Sequence, residues 1–397
     1  MALGIQVVDY RCFMGMTKTY DLAVVGGGLA GLALSIQMAE QGFAVLLLEK
    51  ETYPFHKVCG EYISNESWPF LQRLGVPLHQ MDVAQIHRLE VSAPNGQVLD
   101  APLALGGFGV SRHLLDSLLA TIAVQKGVTL MQGCKVQAVH ESEDLHLLHV
   151  LDNGVQKILK ARLCCGSWGK KSNLDVQFQR PFLQYTPSGL HNFVAVKYHV
   201  HAQAPDNTIY LHNFEDGYCG FSKIEADRYC LCYLTRASNL RKHNNDIAAM
   251  EKAVLQRNPH LKQLFKQIQP CAGFPLAISN ISFGNKEQVL PHFGALLGDA
   301  AGAITPLCGN GMSMALHSSK MMAQLLPHFF SGCKTVDVLW AQYNKQWTRH
   351  FALRLRMGRL LQQAFGRERA TNLLIGGLRH SPALVRTIIR ATHGMPF

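Results

Sequence analysis

Residues Asp21–Lys50 read DLAVVGGGLAGLALSIQMAEQGFAVLLLEK, and the fold follows from how this stretch divides. DLAVV is an unbroken apolar run ending in glycines, the pattern of a strand buried on both faces. LAGLALSIQMAEQG carries small and apolar residues at helical spacing and stops on Gly42, and FAVLLLEK is a second buried strand. Together they make a βαβ unit of about 30 residues, the setting in which a GxGxxG turn acquires physical meaning. Gly26 permits the tight turn, Gly28 lets a pyrophosphate approach the backbone, and Gly31 lets helix and strand pack closely. The helix N-terminus adds amides and the positive end of its dipole. Glu49, at the end of the second strand, is placed to accept hydrogen bonds from ribose hydroxyls.

A second junction follows about 270 residues later, in GDAAGAITPLCGNGMSMALHSSKMMAQLL, Gly298 to Leu326. FGALLGDAAG is a buried strand ending in small residues, and Pro306 through Met312 lead into a helix. Asp299 can bind a chain of hydroxyls, while amides at the helix start can stabilise an anion that forms on reduction. Two such junctions suit one extended cofactor reaching across a domain. Between them, SRHLLDSLLATIAVQKG reads as a helix with Ser111 as N-cap. KVQAVHES, LHLLHVLDNG and VQKILKARLCCG read as a meander with a DNG hairpin turn. From about residue 190 four strand-like segments predict an antiparallel sheet, and residues 244 to 267 predict a helix.

Composition narrows the class. Of 397 residues, 48% are hydrophobic and 16% charged, so the chain is an ordered globular one long enough for two or three cores. Eleven scattered cysteines without a CxxC pair predict reduced thiols and a cytoplasmic setting. The N-terminus lacks the ordered regions of a signal peptide, and Met14 and Met16 suggest that residues 1 to 15 are an overlong start. The net charge of +11 sits mainly at the end: residues 341 to 397 hold ten Lys or Arg against the single acid Glu368. Such a basic region makes an acidic carrier protein or a membrane surface candidate partners, with peripheral membrane attachment as a consequence. Nucleic acid is not expected, since no nucleic-acid motif accompanies the charge.

The two glycine junctions, with SRHLLDSLL between them, resemble the FAD-dependent monooxygenase superfamily of the aromatic-hydroxylase fold, and within it the geranylgeranyl-reductase-like branch. The resemblance covers nearly the whole chain to about residue 330. It implies that Gly26, Gly28, Gly31 and Glu49 hold the ADP half of FAD, with Arg112 near the pyrophosphate. Asp299 would bind ribityl or phosphate oxygens, and Gly309, Asn310, Gly311 and Met312 would line the pyrimidine edge of the flavin. The FHKVCGE stretch looks like that branch's basic-x-Cys-Gly segment, placing Lys57 by the cofactor and Cys59, Gly60 and Glu61 on the substrate side of the flavin. NAD(P)H is the implied electron donor, but Trp168-Gly169 stands where aromatic hydroxylases carry Asp-Gly. The reductase branch's aromatic-x-Trp-x-Phe-Pro segment is also missing near DGYCGFSKIE, and flavin halogenases' paired-Trp motif is absent from a chain with four Trp.

Other groupings carry less. Lys57 could lower the thiol pKa of Cys59, but no general base is visible beside it. His56 and Cys59 alone do not make a metal site, and no metal is expected. Glu61 could donate or accept a proton beside a flavin, cap a helix, or meet Lys57. His199 and His201 share a strand face, as do Cys230 and Cys232. GxSxG does not occur, so serine hydrolase chemistry has no support.

The expected architecture is α/β: a Rossmann-like FAD-binding domain from residues 17–75, 105–175 and 285–330. An antiparallel-sheet substrate domain from 76–104 and 176–284 is inserted in it, and 331–397 form a basic helical C-terminal part. The expected function is FAD-dependent oxidation of a lipophilic aromatic, polyketide or isoprenoid substrate, free or carrier-bound, by hydroxylation or epoxidation. Reduction of a carbon-carbon double bond is the alternative within enzymology, and a flavin-binding or carrier-docking module without turnover is the alternative outside it.

Overall fold

The computed structural model describes residues 18–183, 192–281, 283–305 and 309–397. The suggested overlong start and the Pro306–Cys308 part of the second junction lie outside the described residues. The chain opens with β1 (Thr19–Val25), α1 (Leu29–Glu40) and β2 (Val45–Leu48), then β3 (Tyr62–Ser64), α2 (Trp68–Arg73), β4 (Ala84–Ser92) and β5 (Val98–Gly109). It continues through α3 (Arg112–Gln125), β6 (Thr129–Met131), β7 (Cys134–Ser142), β8 (Leu145–Asp152), β9 (Val155–Gly166) and α4 (Asn173–Gln177). Next come β10 (Phe193–His201), β11 (Thr208–Phe214), β12 (Gly217–Lys223), β13 (Tyr229–Arg236), α5 (Ala237–Lys242), α6 (Ile247–Ala253) and α7 (Pro259–Gln267). Short strands β14 (Gln269–Pro270), β15 (Leu276–Ile281), β16 (Gly284–Asn285), β17 (Val289–Leu290), β18 (Gly294–Leu296) and β19 (Gly302–Ala303) precede the helices α8 (Gly311–Phe330), α9 (Val336–Ala364), α10 (Glu368–Leu378) and α11 (Pro382–Thr392).

Two large sheets organise these elements. The first runs β17-β18-β9-β1-β2-β6, with β9, β1, β2 and β6 parallel and β18 parallel to β9, so the late strand at Gly294 does complete the early sheet. Its middle strands are apolar without alternation because both of their faces are buried: every residue of β2 is buried, as are Leu22 to Val25. The β7-β8-β9 meander hangs from its edge, and the predicted hairpin turn has Asn153 and Gly154 at φ +48 and +87, as a tight primed turn requires.

The second sheet runs β14-β10-β13-β12-β11-β4-β5-β3 and is antiparallel except for the parallel pair β11 and β4. Strand β5 crosses the boundary expected at residues 104/105, and β3 joins this sheet rather than the first. Residues 244 to 267 form two helices instead of one. Pro259 cannot continue a helix from α6, and the buried Asn258 side chain caps the new one by accepting from the amides of His260 at 2.8 Å and Leu261 at 3.4 Å. The C-terminal helices are not a separate layer: Ile375 and Leu378 of α10 and Val385 of α11 pack on Val91, Leu99 and Ala101 of β4 and β5.

Candidate functional site

At the end of β1 the backbone turns through Gly26 at φ +105, a conformation that favours glycine. Gly27 donates its amide to Glu49 Oε2 at 2.7 Å, and Glu51 donates to Oε1 at 3.0 Å, so the second strand's acid is fixed beside the turn. A carboxylate has about four acceptor positions, which leaves lone pairs for further donors. The Tyr53 hydroxyl donates to the Gly27 carbonyl from the other side.

Gly28 and Gly31 differ in what surrounds them. A Cβ on Gly31 would run into the Gly26 carbonyl and the Ser167 hydroxyl, so its hydrogen is a packing requirement. A Cβ on Gly28 would meet only ordinary van der Waals contacts, with Arg112 Nη2 at 3.8 Å and Lys57 Nζ and the Ser167 carbonyl oxygen at 3.9 Å. Both cations lean on one buried acid that motif reading did not single out: Arg112 donates to Asp116 through Nε and Nη2, each at 2.7 Å, and Lys57 lies 3.2 Å from it. Two positive charges against one negative leave a net positive edge facing a glycine turn at a helix N-terminus. That edge, with space beside Gly28, fits a diphosphate.

The second junction faces the same space. Leu296 ends β18, Leu297 leads into a 3-10 turn, Gly298 takes φ +56, and Asp299 lies half-buried in that turn with Lys170 Nζ 4.0 Å away. A cavity of about 210 Å³ is lined by Gly28, Arg112 and Asp299, by Cys59, Gly60 and Glu61, and by Gly309, Gly311 and Met312. Its opposite wall is sheet two, with Ala195, Leu211, Tyr218 and Cys232 among the apolar and aromatic lining. Gly26, Gly31, Glu49 and Lys57 are not among its lining residues, and of these Lys57 reaches the Gly28 edge. Asn310 departs from expectation: its buried side chain donates to the Thr392 carbonyl at the end of α11 instead of reaching the cavity. The helix that follows needs its start anchored, and the C-terminal helix provides the acceptor.

The Cys59 thiol lies 3.7 Å from the Met312 sulfur, and the Cys59 carbonyl accepts from the Cys230 thiol at 3.3 Å. Cys59 therefore lines the cavity beside Met312. His56, its neighbour, stacks on His113 at 4.5 Å, and burial first, then the Lys197 charge, pulls its pKa down to about 4. The neighbouring Glu61 is the largest surprise. It sits at φ 55, fully buried, accepting from the Arg112 amide at 2.8 Å, from His199 Nε2 at 2.6 Å and from the Lys197 ammonium, and not from Lys57. Burial alone would raise its carboxyl, but the His199 hydrogen bond and the Lys197 charge reverse this and hold it at about 2. Among the described residues Glu61 thus anchors the Arg112 amide, Lys197 and His199, and of the roles the sequence left open the pairing with Lys57 is the one not formed.

Lys197 and His199 are site residues that sequence reading does not single out, and they lie on a strand in which every residue from Phe193 to Val200 is buried while His201 is exposed. The legible signal was a lysine inside the apolar run FVAVKYHV, which a buried strand tolerates only with a partner. Burial would pull Lys197 down, but the Glu61 charge lifts it above its ordinary value. Glu61, His199 and Cys230 hold ligand-type atoms within 4.8 Å of one another, and the Lys197 ammonium already supplies the positive charge there. At the position expected for Asp-Gly, the Trp168 indole donates to Asp175 at 3.1 Å, and that acid also pairs with buried Arg180 at 2.9 Å.

The chain matches the FAD binding domain family over residues 19–352. It is 24% identical over 335 residues to conditioned medium factor receptor 1 of Dictyostelium discoideum, covering 79% of this chain and 64% of the relative. The chain thus spans just under two thirds of that relative. It is 24% identical over 340 residues to the menaquinone reductase of Mycobacterium tuberculosis (strain ATCC 25618 / H37Rv), covering 79% and 78%. It is 26% identical over 344 residues to the 3-demethoxyubiquinol 3-hydroxylase of Escherichia coli (strain K12), covering 81% and 82%. Among solved structures the flavin-dependent brominase Bmp2 superposes with a TM-score of 0.77 at 18% identity, covering 94% and 93%. A geranylgeranyl bacteriochlorophyll reductase-like protein of Thermoplasma acidophilum gives 0.75 at 16%, covering 94% and 96%. At these identities the structural likeness speaks for the fold.

Proposed function

From the premise that this chain belongs to the FAD binding domain family and is an FAD-dependent oxidoreductase, we propose that it inserts oxygen into a lipophilic aromatic, polyketide or isoprenoid substrate. The observation that carries the reading is that the phosphate-facing edge and Asp299 open onto a cavity whose far wall is apolar. FAD, when bound, supplies the two-electron redox chemistry. The protein's part is positional. Gly28 and the α1 amides, with Arg112 and Lys57, would hold the diphosphate, and Asp299 the hydroxyl-bearing linker. Gly309, Gly311 and Met312 would lie along the ring's edge, where amides at the start of α8 favour negative charge. Sheet two would exclude water and orient the substrate.

A second reading, saturation of a carbon-carbon double bond, is favoured by Trp168-Gly169 in place of Asp-Gly and by the Lys57-to-Gly60 loop. A polyprenylated phenol offers both chemistries to one protein sample. With NADPH, the donor we propose, and ¹⁸O₂, insertion predicts a product carrying ¹⁸O. An unlabelled product gaining two hydrogens, formed equally without oxygen, would replace the first reading with the second.

We also propose that the exposed arginines of the C-terminal helices dock an anionic surface. Arg349, Arg356, Arg367, Arg369, Arg379, Arg386 and Arg390 are exposed, whereas Arg354 is buried against Glu66. No helix among the described residues is long and apolar enough to cross a membrane. Salt-sensitive co-sedimentation with anionic vesicles would support membrane docking, and its absence would leave an acidic carrier to be tested in the same way.

A further inference from the structure

The cavity in front of the glycine turn does not stop at sheet two. Tyr62, Ile209, Leu211 and Gly309 line it and also line a second cavity of about 120 Å³. The second cavity lies between β4 and β5 on one side and α10 and α11 on the other, walled by Val91, Leu99, Ile375, Val385 and Ile389. Among its described lining residues only Tyr62, Thr392 and His393 carry polar side chains.

Two of those residues, Tyr62 and His393, each have a buried polar atom without a partner among the described residues. Tyr62 is 5% exposed, and its hydroxyl has no hydrogen-bond partner among the described residues. Burial raises its pKa, so it remains a donor. Its ring lies against Gly309, where a Cβ would come within 3.0 Å of Cδ1. His393 Nδ1 is 3.0 Å from the Ile389 carbonyl, which leaves Nε2, buried and unpartnered, as an acceptor. A buried donor without a partner is costly, and a ligand oxygen at the junction would relieve it.

We infer that the two cavities form one site for a single-chain amphiphile, with its oxygen-bearing head in the first cavity, an oxygen at the Tyr62 hydroxyl, and a hydrocarbon chain running past Ile209 and Leu211 into the chamber under α10 and α11. This rests on the proposed function for the role of the first cavity. It adds where the apolar part of the substrate goes, which residues measure its length, and why the C-terminal helices are packed on sheet two.

The test is calorimetric titration of the FAD-loaded protein with 4-n-alkylphenols of about four to twelve carbons. Affinity should rise roughly fourfold per added methylene until the chamber is full. Ile389→Trp should flatten the rise for long members and leave short ones as they were, and Ile375→Phe, on the other helix, serves as the second blocking variant. Tyr62→Phe should weaken every member by roughly tenfold. FAD content and melting temperature confirm that each variant is folded. A flat wild-type series, or a rise that survives both blocking variants, overturns the inference. Because calorimetry does not depend on turnover, binding without oxidation would sink only the proposed function, and oxidation with a flat series only the chamber.

Discussion

Gly28 and Gly31 stand three positions apart in one motif and carry different loads. The Gly31 hydrogen faces the Gly26 carbonyl and the Ser167 hydroxyl at clashing range for a Cβ, whereas a Cβ on Gly28 would make only ordinary contacts with Arg112, Lys57 and the Ser167 carbonyl. Gly31→Ala should therefore destabilise the fold itself, by about 1–3 kcal/mol or more as an overpacked contact. Gly28→Ala should melt at the wild-type temperature when cofactor-free yet bind FAD far more weakly. Paired thermal melts and equilibrium dialysis separate the two, and a Gly28→Ala protein with undiminished FAD affinity would remove the diphosphate from that position. Both glycines could be read in the sequence because the motif's spacing encodes them. Asp116 could not, because nothing in SRHLLDSLL distinguishes a helix-surface acid from the buried counter-ion of two cations.

At the scale of elements, Glu61 is the pin where three meet. It closes the start of β3, accepts from the first amide of α3, and pairs with Lys197 and His199 of β10. Removing its charge leaves a buried ammonium without a counter-ion, so Glu61→Gln should cost about 3–5 kcal/mol in urea denaturation at neutral pH. Adding Lys197→Met should restore most of that loss, and an additive double variant would contradict the coupling. The sign with pH follows from the lowered carboxyl: its contribution is fully present above the ordinary value of 4.5 and is lost as pH falls through about 2. The gap between wild type and Glu61→Gln should thus close over that interval. Strand identities were legible from periodicity, including the return of the chain to the first sheet at Gly294. The splitting of α6 from α7 was legible in principle at Pro259. The pairing of β3 with β5 was not, since a three-residue strand carries no period of its own.

At the scale of the whole molecule, several buried histidines are held neutral. Burial pulls His212 and His317 down to about 3, His212 against Ser92 and the ring of His260, His317 against His350 and Phe397. The unfolded chain takes up protons at these sites from about pH 6.5 downward while the folded one does not, so each costs stability as pH falls, by roughly 1.4 kcal/mol per unit. Melting temperature should fall steadily below pH 6.5, and His212→Asn should shallow the slope by about one proton; an unchanged slope would contradict this. The charge imbalance was visible in the sequence, but its layout was not, because only packing shows that Arg354 turns inward to Glu66 while its neighbours face solvent. The same holds for the second chamber, which exists only because α10 and α11 fold back on β4 and β5. The proposed function requires one extended cofactor lying between the two glycine junctions. The visible absorption spectrum of the purified, desalted protein tests that most directly. The account predicts oxidised-flavin bands with one FAD released per chain on denaturation, and a colourless protein that fails to take up added FAD would contradict it.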